Sequence, residues 1–184
     1  MSRLSPLDLT KLDAKQQAIY DAIATGPRKG VRGPFLAWLH RSGLAEHAQA
    51  LGRYCRYDTC LPPRLSELAI MIMGRIWLAE YEWAAHKPFA LQAGITLEII
   101  DAIRNGVRPG FSQTDEELVY DFVTTLHATK DIDEALYARA VSILGEGGVV
   151  DLVGIVGYYT LISMTIKVFD IPPHAGGVPE LPKK

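Results

Sequence analysis

Three ionisable side chains interrupt the most hydrophobic helical part of the sequence, namely Glu67, Glu82 and His86. Glu82 and His86 are four residues apart, so on a helix both project from one face and can share a proton or face one ligand. Histidine changes charge near neutral pH, and an adjacent carboxylate raises its pKa while burial lowers it. The spacing predicts an acid and base pair, although such pairs also occur as solvated surface contacts.

Aromatic side chains around this pair favour a lined pocket or an interface over a solvated surface. Tyr81 and Trp83, both candidate substrate-binding residues, flank Glu82, and Trp77 lies about one helical turn earlier. Tyr81 and Tyr158 are candidates to donate hydrogen bonds to an oxyanion, as is Tyr159. Aromatic residues at helical spacing are, however, more often packing residues.

A substrate carboxylate at this site needs a cation, and two arginines are candidates. Arg32 lies in a Gly-rich loop and Arg75 on the apolar helix, and either could make a planar, two-pronged contact with a carboxylate. Arg75 could equally neutralise Glu67 or Glu80, because an unpaired buried charge is costly.

The two cysteines, Cys55 and Cys60, form a C-x4-C pair with no second pair and no histidine cluster nearby. That spacing does not complete a zinc site, so both are interpreted as reduced and structural. The sequence predicts no metal and no cofactor.

The elements that must position these residues are predicted to be helices, since no alternation of period two runs far. The segment 63–77 has apolar residues on both faces and belongs in the middle of the molecule. The segment 79–93 follows as a helix that Pro88 should kink just past His86 or cause to restart there. The last helix, about 147–169, is apolar nearly all round, and cover from another subunit is expected. The tail from about residue 171 should be extended or loose.

Composition sets the class of protein. A chain of 184 residues with 48% hydrophobic content fits one domain spanning residues 1–184. Its net charge of -2, with scattered basic residues, makes nucleic acid an unlikely partner. Asp151 and Lys167 leave an uncharged run shorter than the roughly twenty residues needed to cross a bilayer, so no membrane span is expected. The first twelve residues lack a signal peptide's apolar run, and a cytoplasmic location is expected.

Several segments together resemble the carboxymuconolactone decarboxylase-like family of the alkylhydroperoxidase D-like superfamily. They are RLSELAIMIMGR at 64–75, YEWAAH at 81–86 and GITLEII at 94–100, with GVRGPF at 30–35 and GYYT at 157–160 extending the similarity over most of the chain. The resemblance implies an all-α, alkylhydroperoxidase D-like helical bundle whose core motif spans about 62–106. It also implies a homo-oligomer, either a trimer or a hexamer.

The redox branch of that superfamily carries a Glu, a C-x2-C pair and a His, which can be aligned with this sequence. Glu67 and His86 match the Glu and the His, whereas Ala79 and Glu82 occupy the cysteine positions. Thiol peroxidase chemistry needs one thiolate to attack the peroxide and a second thiol to resolve the sulfenic acid. The residues therefore argue against that activity.

The decarboxylase branch has an E-x3-H arrangement similar to Glu82 and His86. This resemblance implies a lyase that uses cofactor-free proton chemistry on a small carboxylated lactone or keto acid, as in aromatic compound catabolism. Loss of carbon dioxide leaves an enolate, which the site must stabilise and then protonate on carbon. His86 is then the proton donor, Glu82 its partner and Glu67 a residue that orients the ring. A thiol-dependent antioxidant and a non-catalytic ligand-binding protein are the alternatives.

Overall fold

The computed structural model describes residues 2–173 and 178–182, and within them the chain is all-α with no β-strand. A π-helical turn, Tyr54–Asp58, follows the third helix. The helices are α1 Ala14–Thr25, α2 Pro34–Leu39, α3 Ser42–Arg53, α4 Pro63–Trp77, α5 Glu80–Gln92, α6 Leu97–Asn105, α7 Thr114–Thr129 and α8 Glu134–Phe169. The predicted fold class is confirmed.

Helix α4 is the centre of the molecule and packs against α5, α7 and α8. Every residue from Leu65 to Gly74 is buried, as the apolar pattern on both faces predicts. At its end Leu78 adopts a left-handed conformation with φ of 50°, which turns the chain directly into α5. Gly74 lies at the contact between the two helices, where a Cβ would be 3.5 Å from the backbone nitrogen of Trp83, an ordinary van der Waals distance. This packing brings Glu67 on α4 next to the face of α5 that carries Glu82 and His86.

Helix α5 continues through Pro88 as one helix, so of the two outcomes expected from sequence, a kink or a restart, the restart does not occur. Pro88 is exposed, so its ring does not displace packed side chains, and its cost is one helical hydrogen bond to the Ala84 carbonyl. Glu82 and His86 therefore stay on one uninterrupted helix, in the i, i+4 relation that the sequence predicts.

Helix α8 consists of two helical parts separated at Gly145, whose φ of 72° and ψ of 164° are not helical. By length and composition alone it could cross a membrane, a test that core helices of soluble proteins also pass. In its most apolar window, 61% of the residues are buried against the rest of the protein. The burial is that of a core helix, and one face of it reaches the site.

The end of the chain is held against α5. The backbone N–H groups of Glu180 and Leu181 donate to the Glu80 carboxylate at 3.1 and 2.7 Å, and Leu181 is buried. Residues 178–182 are therefore extended but not loose, because a carboxylate satisfies two consecutive backbone donors. The stretch 174–177, on which the prediction of a loose tail also falls, lies outside the described residues.

The packing of α3 on α8 gives a test of the fold. A Cβ at Gly52 would overlap the ring and hydroxyl of the buried Tyr158, whereas a Cβ at Gly43 on the same helix meets no atom within 4 Å. We expect Gly52→Ala to lower the free energy of unfolding by about 1–3 kcal/mol through overpacking. Gly43→Ala should leave it unchanged or slightly raised. Urea unfolding of both variants measures the difference, and equal effects would contradict this packing.

Candidate active site

The centre of the candidate site is a buried chain of three ionisable side chains. The His86 ring lies between two carboxylates, with Nδ1 at 2.6 Å from Glu67 Oε2 and Nε2 at 2.9 Å from Glu82 Oε1. Glu67 comes from α4, and the other two residues come from α5. All three are buried, at 7%, 4% and 3% exposure for Glu67, Glu82 and His86. Because burial of an ionisable group is costly unless it is paired, this chain is more than a surface contact.

The two carboxylates control the charge of the imidazole. Burial alone lowers the pKa of His86, but the negative charges of Glu67 and Glu82 outweigh it, and the pKa is raised above 6.5. In the protonated ring both nitrogens donate, one to each carboxylate. The two carboxylates therefore favour the imidazolium over the neutral ring, and the imidazolium is a form that can give up a proton.

This chain opens into a cavity of about 600 Å³. Glu82, His86 and Tyr159 line it, whereas Glu67 lies behind the histidine and does not. The Tyr159 ring meets the His86 ring edge to face, with centroids 5.3 Å apart, and its hydroxyl is 3.5 Å from Nε2. A ligand in the cavity therefore meets the Glu82 side of the ring, while the Glu67 side is shielded.

Basic residues line the same cavity, and sequence analysis missed two of them. Arg28 and Arg56 contribute guanidinium groups, and neither forms an ion pair with a carboxylate within residues 2–173 and 178–182. Instead Arg28 lies 4.5 Å from the centroid of the Phe35 ring and Arg56 lies 4.6 Å from that of Phe89. Stacked guanidinium groups remain available to bind an anion.

The position of Arg56 depends on the π-helical turn after α3. Residues Tyr54–Asp58 carry the turn, and π-helical turns are frequent at functional sites because they change which way side chains project. No helical periodicity of the sequence indicates such a turn. This explains why Arg56 was not a candidate.

Arg32 and Tyr81, both candidate substrate-binding residues, line the cavity. The Arg32 guanidinium donates to the Lys29 carbonyl at 3.0 Å. The Tyr81 ring lies over Gly33, whose φ of 57° and missing Cβ make room for it. Burial raises the pKa of Tyr81 to about 12, so its hydroxyl stays neutral and can donate a hydrogen bond.

Two other candidate substrate-binding residues, Arg75 and Trp83, do not line this cavity. Arg75 Nε donates to the Arg104 carbonyl at 2.8 Å, near the end of α6, so it pairs with neither Glu67 nor a ligand in this cavity. Trp83 is buried, and its Nε1 lies 3.3 Å from Glu180 Oε2, so it fastens the end of the chain to α5.

The candidate tyrosine of α8, Tyr158, does not line the cavity either. Tyr158 packs against Gly52, whereas the next residue, Tyr159, lines the cavity. Consecutive helical residues point about 100° apart, given 3.6 residues per turn, so only one of them can face His86. The GYYT motif at 157–160 identified the turn of α8 beside the cavity, but the residue that lines the cavity is Tyr159.

The cysteines lie outside the cavity as well. Cys55 is fully buried, and burial raises the pKa of its thiol to about 11. Cys60 is exposed, and its interaction with Asp151 raises its pKa too. Neither environment favours the thiolate that redox chemistry needs.

A second cavity of about 710 Å³ borders the first. Leucines of the N-terminal segment, Leu36 of α2 and Ile171 make its wall largely apolar. Arg32 and Tyr81 line both cavities and therefore stand at the boundary between a polar and an apolar space.

The fold is that of known structures of the alkylhydroperoxidase D core. A solved structure described as the alkylhydroperoxidase AhpD core, an uncharacterized peroxidase-related protein from Ralstonia eutropha JMP134, matches with a TM-score of 0.76 and 16% identity, covering 94% of this chain and 92% of that chain. An uncharacterized peroxidase-related protein from Silicibacter sp. TM1040 matches with a TM-score of 0.76 and 14% identity, covering 95% and 92%. No family model and no curated protein matches the sequence. At these identities the likeness shows the fold alone, and it confirms the predicted alkylhydroperoxidase D-like bundle.

The raised pKa of His86 predicts a specific dependence of stability on pH. Because the folded-state pKa is above the unfolded value of 6.5, the stabilisation is fully present below that pH and is lost as pH rises through the folded-state value. Glu67→Gln removes one charge that raises the pKa, so the folded-state value should fall. The loss begins near pH 6.5 in both proteins, but in the variant it should be smaller and should end at lower pH.

NMR titration of the His86 ring, together with urea unfolding across pH, measures both effects. His127 serves as an internal control, because burial lowers its pKa and it lies outside the site. A His86 titration that is the same in wild type and Glu67→Gln would contradict the proposed coupling.

Proposed function

We propose that the protein is a lyase of the carboxymuconolactone decarboxylase type that acts on a small carboxylated lactone or keto acid. The observation that carries this proposal is the buried chain Glu67, His86, Glu82, which opens at Glu82 into a cavity bordered by guanidinium groups. Positive groups select an anionic substrate, and the raised pKa of His86 supplies a proton donor.

In the first step the bond between the α-carbon and the carboxylate breaks and carbon dioxide leaves. The electron pair of that bond stays on the substrate as an enolate, whose negative charge develops on the former carbonyl oxygen. Arg28 and Arg56 stabilise this charge, and the neutral hydroxyl of Tyr81 is a further donor at the wall. Donors fixed in place before the reaction lower its barrier without reorganising.

In the second step the carbon is protonated by the pair formed by His86 and Glu82. The Nε2 proton is on the cavity side of the ring, where Glu82 receives it and can pass it on. Nδ1 keeps its hydrogen bond to Glu67, so the ring does not rotate as its charge changes. The neutral imidazole that remains takes up a proton from solvent to complete the cycle.

Thiol-dependent peroxide reduction is the alternative suggested by the descriptions of the structural neighbours. The thiols of this chain do not favour it, since Cys55 is buried with a raised pKa and Cys60 lies outside the cavity. A protein that binds its ligand without turnover is a third possibility, which the activity of the wild type decides.

Removing the proton donor or its partner should lower turnover strongly while the fold persists. On a panel of carboxylated lactones and β-keto acids, we expect His86→Asn and Glu82→Gln to lower kcat by about 10²–10⁴-fold, because general acid and base catalysis contributes that much. Carbon dioxide release measures the rate. The double variant Cys55→Ser with Cys60→Ser is the control and should keep full activity. Peroxide turnover that vanishes in that control would overturn the proposal.

Anion recognition by Arg56 is tested by a matched pair of arginines. Arg56→Gln should raise KM by about 10–100-fold, since a hydrogen bond to a charged group contributes roughly 1.5–3 kcal/mol. Arg53→Gln should leave KM unchanged, because Arg53 lies close by but is exposed and pairs with Asp58 at 3.6 Å. Steady-state kinetics on the same substrate compares them, and an equal effect of the two changes would exclude Arg56 as the anion-binding residue.

A further inference from the structure

The second part of α8 has an apolar stripe on its solvent side. Val150 is 70% exposed, Val153 48%, Met164 40% and Val168 56%. Gly157 is also exposed, and Leu161 is partly so. These six residues, called the α8 seam below, follow one another at spacings of three or four residues, which places them on one face of the helix. Exposed apolar residues scattered singly are ordinary, but a continuous helical stripe indicates a surface that becomes covered.

The α8 seam is not part of the monomer's core. The opposite face of the same helix is buried and includes Leu152, Ile155 and Ile166. The same face carries Tyr159, which lines the cavity. No residue of the seam lines the cavity beside His86. The inference that follows is therefore independent of the proposed function.

We propose that the α8 seam is the contact with a second copy of this chain, with the two helices antiparallel across a two-fold axis at Gly157. A two-fold contact uses the same patch on both copies, so the patch must be complementary to itself. The stripe has this self-complementarity about Gly157. Val150 and Met164 lie seven residues away on either side, and Val153 and Leu161 lie four away. The axis thus sets Val150 of one copy against Met164 of the other and Val153 against Leu161.

Gly157 suits the point where the two helices cross. A Cβ built there meets no atom of residues 2–173 or 178–182 within 4 Å beyond its own helical turn, so no packing contact among these residues requires glycine at this position. Its helical conformation does not require glycine either, and glycine weakens a helix interior by about 1 kcal/mol relative to alanine. At the axis, the absence of a side chain allows the backbones of the two copies to approach closely.

The charges at the ends of the seam favour the antiparallel arrangement. Glu146 lies at the start of this part of α8 and Lys167 near its end, and both are exposed. Antiparallel pairing brings Glu146 of one copy near Lys167 of the other, whereas a parallel pairing would bring like charges together. An exposed pair contributes only about 0.2–1 kcal/mol, so these charges select orientation and the apolar stripe supplies affinity.

Residues of α3 and the following turn widen this surface. Leu51 is 48% exposed and Tyr54 46% exposed. They lie beside α8, because the neighbouring Gly52 packs on Tyr158 and the Tyr54 hydroxyl donates to Asp151 at 2.6 Å. A stable interface buries about 1,200–2,000 Å² in total, more than a single helical stripe offers, so the contact includes this flank.

Cysteine cross-linking tests the position of the axis. Gly157→Cys is made in a Cys60→Ser background, which removes the exposed native thiol. On a two-fold axis the introduced cysteine meets its own copy, so mild oxidation should give a covalent dimer, since a disulfide needs Cα atoms within about 7 Å. Gly110→Cys in the same background is the control, exposed in a loop, and should stay uncrosslinked. Equal cross-linking of the two variants, or none at residue 157, overturns the proposed axis.

Sedimentation analysis tests the surface without a new covalent bond. The wild type should be a dimer, or an assembly with an even number of copies, and Val153→Glu should shift the dissociation constant upward by at least tenfold. Val107→Glu is the matched control, because Val107 is 59% exposed but lies in the loop after α6. Circular dichroism and thermal melting verify that both variants fold. A wild type that is monomeric at all concentrations, or a dimer that Val153→Glu leaves intact, contradicts the proposal.

Discussion

The hydrogen-bonded chain of Glu67, His86 and Glu82 is the interaction on which the rest of the structure depends. Two carboxylates and an imidazole are buried together, and each would be costly alone because water is excluded from them. Together they satisfy both ring nitrogens and raise the pKa of the histidine. The chain can form only where α4 and α5 pack against each other, because Glu67 lies on α4 whereas Glu82 and His86 lie on α5.

The surroundings of this chain divide into a rigid side and a side open to ligand. Helix α4 is buried throughout its middle and holds Glu67 behind the ring, while Tyr159 on α8 covers one edge of the imidazole. The basic groups come from less regular parts, Arg28 and Arg32 from the loop before α2 and Arg56 from the π-helical turn. A rigid proton donor with adaptable charged loops is a common division in active sites, because loops tolerate variation that a packed core does not.

Prediction from sequence succeeded where a single helix determines the position of a side chain or the burial of a segment. The pairing of Glu82 with His86 follows from helical spacing, and the central place of α4 follows from its two apolar faces. It was not sufficient where contacts between helices determine the position of a side chain. Arg75 donates to a carbonyl of α6, and Tyr159, not Tyr158, lines the cavity. Arg28 and Arg56 were not candidates, since a loop and a π-helical turn place them and neither has a periodic signal. The partner of His86 on α4 came from resemblance to a known motif, because residues 67 and 86 lie on different helices.

The central claim is that this site delivers a proton to carbon after carbon dioxide leaves. Turnover in deuterated water, followed by NMR of the product, measures that event most directly. The wild type should release carbon dioxide and place one deuterium on the carbon that had carried the carboxylate, because the proton passed by His86 and Glu82 comes from solvent. Substrate consumed without deuterium at that carbon, or no consumption of any carboxylated lactone or keto acid alongside cysteine-dependent peroxide reduction, would contradict the account.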